Sequence, residues 1–326
     1  MENSCRLISV SELCEILHKK DNYTLLAHAQ PDGDTIGSCY SLAYALKLIG
    51  KKVRILCSDA VPHKYNYITG ALEFDEFDEE TVIALDVADS KLLGKYNGIY
   101  GKRVDICIDH HVSNVKYARK LLLGASASAT CEIVYEIVKE LGVEWDRRIV
   151  DGIYTGIVTD TGCFKYSNTT ARTHIITAEL ISLGADYAEI NRLMFDTKSK
   201  SRVKIEGTVM ENIEFYLGGR LAMVAVTRKM IEECGAGEDE LDGINALPRT
   251  IEGVMVGVTI REKAEGRYKI SVRTNAPLDA MAICRHFGGG GHQGAAGCEF
   301  ECPLSEVKAQ LLPVIKEALE EQGCLI

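Results

Sequence analysis

Residues 23–50 read YTLLAHAQPDGDTIGSCYSLAYALKLIG. The opening YTLLAH is a short apolar run of the kind that forms a buried strand. It ends on His28, and Asp32 and Asp34 follow as H-x-x-x-D-x-D. Residues 34–49 then predict a helix that stops at Gly50, where a left-handed cap is cheapest. Asp34 also reads as the N-cap of that helix. A strand that hands polar residues to a helix is half of a β-α-β unit, and the pattern recurs. Runs at 52–57 (KVRILC), 81–86 (TVIALD) and 104–109 (VDICID) are β-rich, and 128–141 and 146–158 look helical. Apolar strands interleaved with helices predict an α/β fold, a mostly parallel sheet with helices on both faces.

The pattern changes after residue 185. Residues 186–212 are helical and charge-rich, as a connector would be. Strand runs at 213–217 and 220–227 flank Gly218-Gly219, a hairpin signal. A second pair, 251–261 and 267–274, flanks Glu265-Gly266. A helix near 277–287, a strand at 298–300 and a last helix near 303–321 complete a smaller mixed α/β domain. The expected division is 1–185, a connector at 186–212, and 213–326. The acidic stretch Glu73 to Glu80 has no counter-charge beside it in sequence and reads as a solvated loop.

Composition narrows the function. The chain has 326 residues, 46% of them hydrophobic and 26% charged, an ordinary globular balance. No apolar run reaches the roughly 18 residues of a membrane helix, and the first residues lack a signal-peptide pattern. A soluble cytoplasmic protein without membrane partners is expected. The net charge of −10 argues against an extended surface for long duplex DNA, which needs a basic face. A small anionic substrate remains compatible, because bound divalent cations invert the local sign of a carboxylate cleft. The 12 cysteines are scattered, with no C-x-x-C pair, so buried reduced thiols are expected rather than zinc knuckles.

Chemistry enters where buried runs end. YTLLAH leads to His28, Asp32 and Asp34; TVIALD ends in Asp86; VDICID ends in Asp109, with His110 and His111 behind it; the helical run 149–158 leads to Asp160. A carboxylate at the end of a buried strand must be paired, hydrogen-bonded or metal-bound. One such Asp is commonplace; several, delivered to the carboxyl edge of one parallel sheet, would repel one another without cations. Carboxylates and imidazoles without thiolates suit Mn²⁺ best, and Mg²⁺, Co²⁺ or Fe²⁺ also fit. So many ligands imply two ions, the usual device for in-line displacement at phosphorus, in which a bridging hydroxide attacks.

A second motif, HFGGGGHQGAAG (286–297), lies near the C-terminus. Four glycines in a row suit close approach of backbone N–H groups to an anion rather than strand or helix stability. Gly289, Gly290 and Gly291, with His292, are thus candidate substrate contacts. The Lys-Ser/Thr of a Walker A loop is missing. Arg273 and Asn275, in SVRTN, end the last hairpin strand, and an arginine there is a natural phosphate partner.

Together, AHAQPDGDTIGS (27–38), ALDVADS (84–90), DHHVSN (109–114), GIVTDTGCFKYSN (156–168) and GGGGHQGAAG (288–297) resemble the DHH/DHHA1 phosphoesterase superfamily over nearly the whole chain. Length and layout resemble its nano-RNase branch, which acts on short oligoribonucleotides and on 3′-phosphoadenosine 5′-phosphate. The resemblance implies one Mn²⁺ on His28, Asp32 and Asp86, and a second on Asp34, Asp86, His110 and Asp160, with Asp86 bridging. It implies that Asp109 orients its neighbours and that His111 stands by the scissile phosphate as stabiliser or proton donor. It further implies that His292, its glycine loop and Arg273 grip the substrate phosphate, that Asn114 contacts substrate, and that the enzyme is a homodimer. Cyclic-dinucleotide phosphodiesterases are the nearest alternative. An inorganic pyrophosphatase is disfavoured by GGGGH, and a non-catalytic nucleotide sensor by the intact ligand set.

Overall fold

The computed structural model describes residues 5–70, 72–241 and 243–325. The chain forms two compact units, Met1–Thr197 and Lys198–Ile326. In the first, β1 (Arg6–Leu7), β2 (Tyr23–Leu26), β3 (Val53–Leu56), β4 (Thr81–Leu85), β5 (Ile106–Asp109) and β6 (Lys120–Leu123) form one sheet. Its order is β1-β6-β5-β4-β2-β3, and every pairing is parallel. From β2 the chain passes to β3 on one side and returns to β4 on the other. The β2–β4 boundary is therefore the topological switch point, where open α/β sheets bind ligands outside the carboxyl ends of their strands. Tyr23–Leu26 and Thr81–Leu85 are buried throughout, as a sheet covered on both faces requires.

Helix Gly33–Leu48 follows β2 and packs on helix Arg147–Asp160. Glycines allow this contact. A Cβ on Gly37 would lie 2.3 Å from the Gly152 carbonyl oxygen, and one on Gly33 would strike Thr159. The N-cap is Asp32 rather than Asp34: its carboxylate accepts from the backbone N–H groups of Asp34 and Thr35. The helix expected at 128–141 is Thr130–Leu141, and that at 146–158 runs to Asp160. Strands β1 and β6 and helices Val10–Lys19 and Ala171–Ser182 add to the sequence reading. The acidic stretch differs from expectation. Glu79 pairs with Arg54 and Arg103, Glu80 with Lys20, and Asp75 with Lys47, all partners distant in sequence.

The region 186–212 is helical but broken: Tyr187–Asn191, a π turn at Arg192–Asp196, and Lys200–Glu211 capped by Ser199. In the second unit β7 (Glu214–Tyr216), β8 (Leu221–Val226), β9 (Val256–Ala264), β10 (Arg267–Thr274), β11 (Gly290–His292) and β12 (Ala295–Glu301) form a sheet of order β11-β12-β10-β9-β8-β7. All its pairings are antiparallel except β8–β9. Val256, Val258, Ile270 and Val272 face one core together with Ile283 of helix Ala280–Arg285 and Leu311 and Ile315 of helix Leu304–Glu321. Val224 and Val226 face the other side, against Ile205, Val209 and Ile244.

The glycine motif departs from its expected form. Gly290 and Gly291 belong to a strand paired with β12. A Cβ on Gly291 would lie 2.6 Å from the Ala295 carbonyl oxygen, and one on Gly289 would lie 2.2 Å from that of Gly297. These two glycines let a hairpin close tightly, a steric role that needs no ligand. The strand expected at 298–300 begins three residues earlier for the same reason.

Candidate metal centre

β2 delivers His28, and its Nδ1 lies 2.7 Å from the Ala29 carbonyl oxygen. That bond fixes the tautomer, so Nε2 is the free nitrogen. Nε2 lies 3.7 Å from both Asp32 Oδ1 and Asp86 Oδ2. Asp86 follows β4 in the left-handed region (φ 59°), which Asp tolerates better than most residues. Its backbone N–H donates to Ile108 on the next strand. Two hydroxyls hold its carboxylate: Thr130 Oγ1 donates to Oδ1 at 2.9 Å, and Thr35 Oγ1 to Oδ2 at 2.8 Å. Each oxygen keeps a lone pair for a further partner.

Asp34 is wholly enclosed, at 1% exposure. It seats on the first turn of helix Thr130–Leu141, accepting from the backbone N–H groups of Thr130 (2.7 Å) and Cys131 (2.9 Å). The positive end of that helix favours a carboxylate. His110 Nδ1 faces the Ala127 carbonyl oxygen at 3.3 Å. Its Nε2 points at Asp34 (4.0 Å), Asp86 (3.7 Å) and Asp160 (3.6 Å), yet is buried without any hydrogen-bond partner.

The ligand atoms thus converge as three groups, each within 4.8 Å: His28, Asp32 and Asp86; Asp34, His110 and Asp160; Asp86, His110 and His111. Electrostatics agree that a cation is wanted. Burial, and then the charge of Asp86, Asp160 and Asp32, pushes the Asp34 carboxyl far above its ordinary value. Burial and Asp32 push Asp86 up. Burial pushes Asp160 up to about 6, with the His110 imidazole opposing. Carboxylates that would otherwise retain protons, and an orphaned imidazole nitrogen among them, match the donor set of a hard or borderline divalent ion.

Asp109 belongs to none of these groups but lies directly behind His111. It is fully buried, and its Oδ1 accepts from the backbone N–H of His110 and His111 and from His111 Nδ1 at 2.8 Å. This bond raises the His111 pKa to about 9 despite the opposing effect of burial. Asn114, expected at the substrate, is instead buried behind Asp109. Its Nδ2 donates to Asp109 Oδ2 at 2.6 Å, completing a chain Asn114–Asp109–His111. Asn275, also expected at the substrate, is committed as well: Oδ1 accepts from Arg249 Nη1, and Nδ2 donates to Val254. Arg273 is half-buried and spends one donor on the Val272 carbonyl, and His292 is exposed on β11.

Thr35, Thr130 and Arg249 escaped the sequence reading. Thr35 directly follows Asp34, and Thr130 ends the small-residue run GASASAT, so position within a motif could have flagged both.

The donor set of this site suits a divalent cation, and comparison with known proteins gives its class. Residues 22–157 match the N-terminal domain of the DHH family, and residues 222–321 match the DHHA1 domain. The chain belongs to the DHH/DHHA1 phosphoesterases and is a hydrolase of phosphoric esters. It is 33% identical to the bifunctional oligoribonuclease and PAP phosphatase NrnA of Thermus thermophilus, over 92% of this chain and 91% of that one. It is 27% identical to the NrnA of Bacillus subtilis, over 88% and 92%. The crystal structure of an exopolyphosphatase-related protein from Bacteroides fragilis superposes with a TM-score of 0.83 at 25% identity, covering 96% of both chains.

Proposed function

We propose that this enzyme hydrolyses short oligoribonucleotides to mononucleotides, and 3′-phosphoadenosine 5′-phosphate to AMP, with two divalent cations, Mn²⁺ foremost. The observation that carries the reading is the set of three His/Asp groups linked through Asp86 and His110, with His110 Nε2 buried and partnerless at their centre. The Thermus and Bacillus relatives, matched over about nine-tenths of their length, carry both activities in their names.

His28, Asp32 and Asp86 would hold one ion, and Asp34, Asp86, His110 and Asp160 the other. Cations bound there supply Lewis-acid screening at phosphorus and lower the pKa of water. The chain does the rest. Thr35 and Thr130 fix the carboxylate plane of Asp86, and the Thr130–Leu141 helix terminus fixes Asp34. Asp109 holds the proton on His111 Nδ1, and the other ring nitrogen, Nε2, would donate to a phosphoryl or leaving-group oxygen. Arg273 and His292 serve as contacts for the substrate anion.

A kinetic panel of RNA dinucleotides, 3′-phosphoadenosine 5′-phosphate, cyclic di-AMP and pyrophosphate, each with Mn²⁺, tests the substrate class. Mononucleotide release from the dinucleotides, with weak cleavage of the cyclic substrate, is expected. The reverse order would move the assignment to a cyclic-dinucleotide phosphodiesterase. Asp86→Ala should abolish turnover and lower bound metal; near-normal activity would refute the two-ion centre.

A further inference from the structure

In the second unit a row of residues runs across the sheet: His292 on β11 pairs with Ala295 on β12, Ala295 with Arg273 on β10, and Arg273 with Gly257 on β9. Residues in register across a sheet project to the same face. The neighbouring row, Val272 and Val258 among it, enters the core with the two helices. The His292–Arg273 row therefore lies on the opposite face.

That face is crossed by the 3₁₀ segment Ile244–Thr250, whose Ile244 packs with Val224 and Val226. It lies directly over Gly257. A Cβ on Gly257 would come within 2.6 Å of the Arg249 backbone nitrogen and 3.0 Å of its Cβ. The missing side chain at Gly257 is what seats Arg249 beside Arg273, its in-register neighbour.

Through Gly257 the Arg249 backbone stands over the strand position paired with Arg273, so the two guanidiniums share one face of the sheet. Burial, and then the charge of Arg249, lowers the pKa of Arg273. Among the described residues neither has a carboxylate within ion-pair distance. Arg249 Nη1 is held by Asn275 Oδ1 at 3.1 Å, and Asn275 is itself anchored to Val254. Arg249 Nε is buried with no acceptor at all. Two arginines on one face, neither paired with a carboxylate and one with a buried donor unspent, form an anion site that the protein does not fill from within.

We propose that Arg249 and Arg273 together bind a terminal phosphomonoester of the substrate, and that Arg249, positioned by Asn275 and Gly257, makes the enzyme prefer substrates bearing one. The reason is charge. A phosphodiester carries one negative charge and balances one guanidinium. A phosphomonoester carries about −1.5 to −2 at neutral pH, with three strong acceptor oxygens, and balances two. This deepens the proposed function and rests on it for the kinetic part of the test alone.

The test compares wild type, Arg249→Gln and Arg249→Lys on diadenylate carrying a 5′-phosphate, a 3′-phosphate or no terminal phosphate. Wild type should prefer one phosphorylated form. Arg249→Gln should lower kcat/KM on that form by on the order of 10- to 100-fold, the usual range for a charge-assisted pair, mainly through KM. On unphosphorylated diadenylate the change should stay within about threefold, which a general folding defect would not spare. Arg249→Lys keeps the charge without the fork and should fall between, which also covers failure of the Gln variant to fold. Equal losses on all three substrates, or none on any, overturn the proposal. Binding of AMP and of adenosine, measured by calorimetry on the same proteins, decides the site without turnover. AMP bound more tightly than adenosine, in an Arg249-dependent manner, upholds the anion site even if no dinucleotide is cleaved and the proposed activity fails. AMP bound no better than adenosine, or indifferent to Arg249, sinks it.

Discussion

At the scale of the residue, Asp86 shows how much of a candidate metal site lies outside the groups that would bind the ion. Its two oxygens are claimed by Thr130 and Thr35, and Thr130 also gives its backbone N–H to Asp34. One residue thus orients two carboxylates of the centre. Thr130→Val keeps the shape and the backbone bond but removes the hydroxyl, so it should weaken Mn²⁺ binding by about 10- to 100-fold while preserving the fold. Metal titration by calorimetry checks this, and an unchanged affinity would mean that the hydroxyl does not set the carboxylate. The His and Asp residues themselves were legible in the sequence because ionisable groups at the ends of buried runs stand out against their apolar surroundings. Their hydroxyl supports were not. A threonine is unremarkable in any segment, and its meaning appears only when residues 44 and 51 positions apart meet. The same limit hid Arg249, which reaches Asn275 across 26 positions.

At the scale of the element, the alternation of strands and helices was legible, and boundaries and edges were not. β1 is two residues long, and β6 is a four-residue run, KLLL, too short for a period to register. The hairpin in the glycine motif was not legible, because composition alone does not reveal strands that approach too closely for Cβ atoms. Helix packing supplies a sharper test of what glycine does. Ala is favoured over Gly inside a helix by about 0.5–1 kcal/mol. Gly207, in helix Lys200–Glu211, has open space where a Cβ would go. Gly207→Ala should therefore stabilise by up to about that amount. Gly156, in helix Arg147–Asp160, is the opposite case. Its Cβ would lie 2.2 Å from Cys131 Sγ and 2.8 Å from Asp34 Oδ1. Overpacking costs about 1–3 kcal/mol, which exceeds the propensity gain. Gly156→Ala should lose stability and, by displacing Asp34, lose metal affinity with it. Denaturant unfolding of the two variants should move in opposite directions; the same sign for both would refute the packing account.

At the scale of the whole molecule, a chain of net charge −10 concentrates five aspartates, Asp32, Asp34, Asp86, Asp109 and Asp160, around three histidines in its first unit. Three of these carboxyls are pushed upward by burial and by one another, so the folded state carries an electrostatic cost that bound cations would relieve. An ion that binds the folded state alone stabilises by RT ln(1 + [L]/Kd), about 2.7 kcal/mol at a hundredfold excess over Kd. The second unit has its own cores, built from Leu221, Val256 and Ile270 on one face and Ile205 and Val224 on the other. No His/Asp/Glu/Cys group able to hold an ion occurs there among the described residues. Stabilisation by metal should accordingly be local. Hydrogen exchange followed by mass spectrometry, with Mn²⁺ and then with excess chelator, should show protection lost after metal removal in β2, β4, β5 and the helices Gly33–Leu48, Thr130–Leu141 and Arg147–Asp160. By the same linkage, exchange of the slowest amides there should accelerate by up to about 100-fold where they open with the unit. Peptides from β8 to β12 should exchange at the same rate in both conditions. Equal loss across both units would show that the ion's free energy is not held at the Asp86 centre, and no loss in the first unit would remove the centre itself.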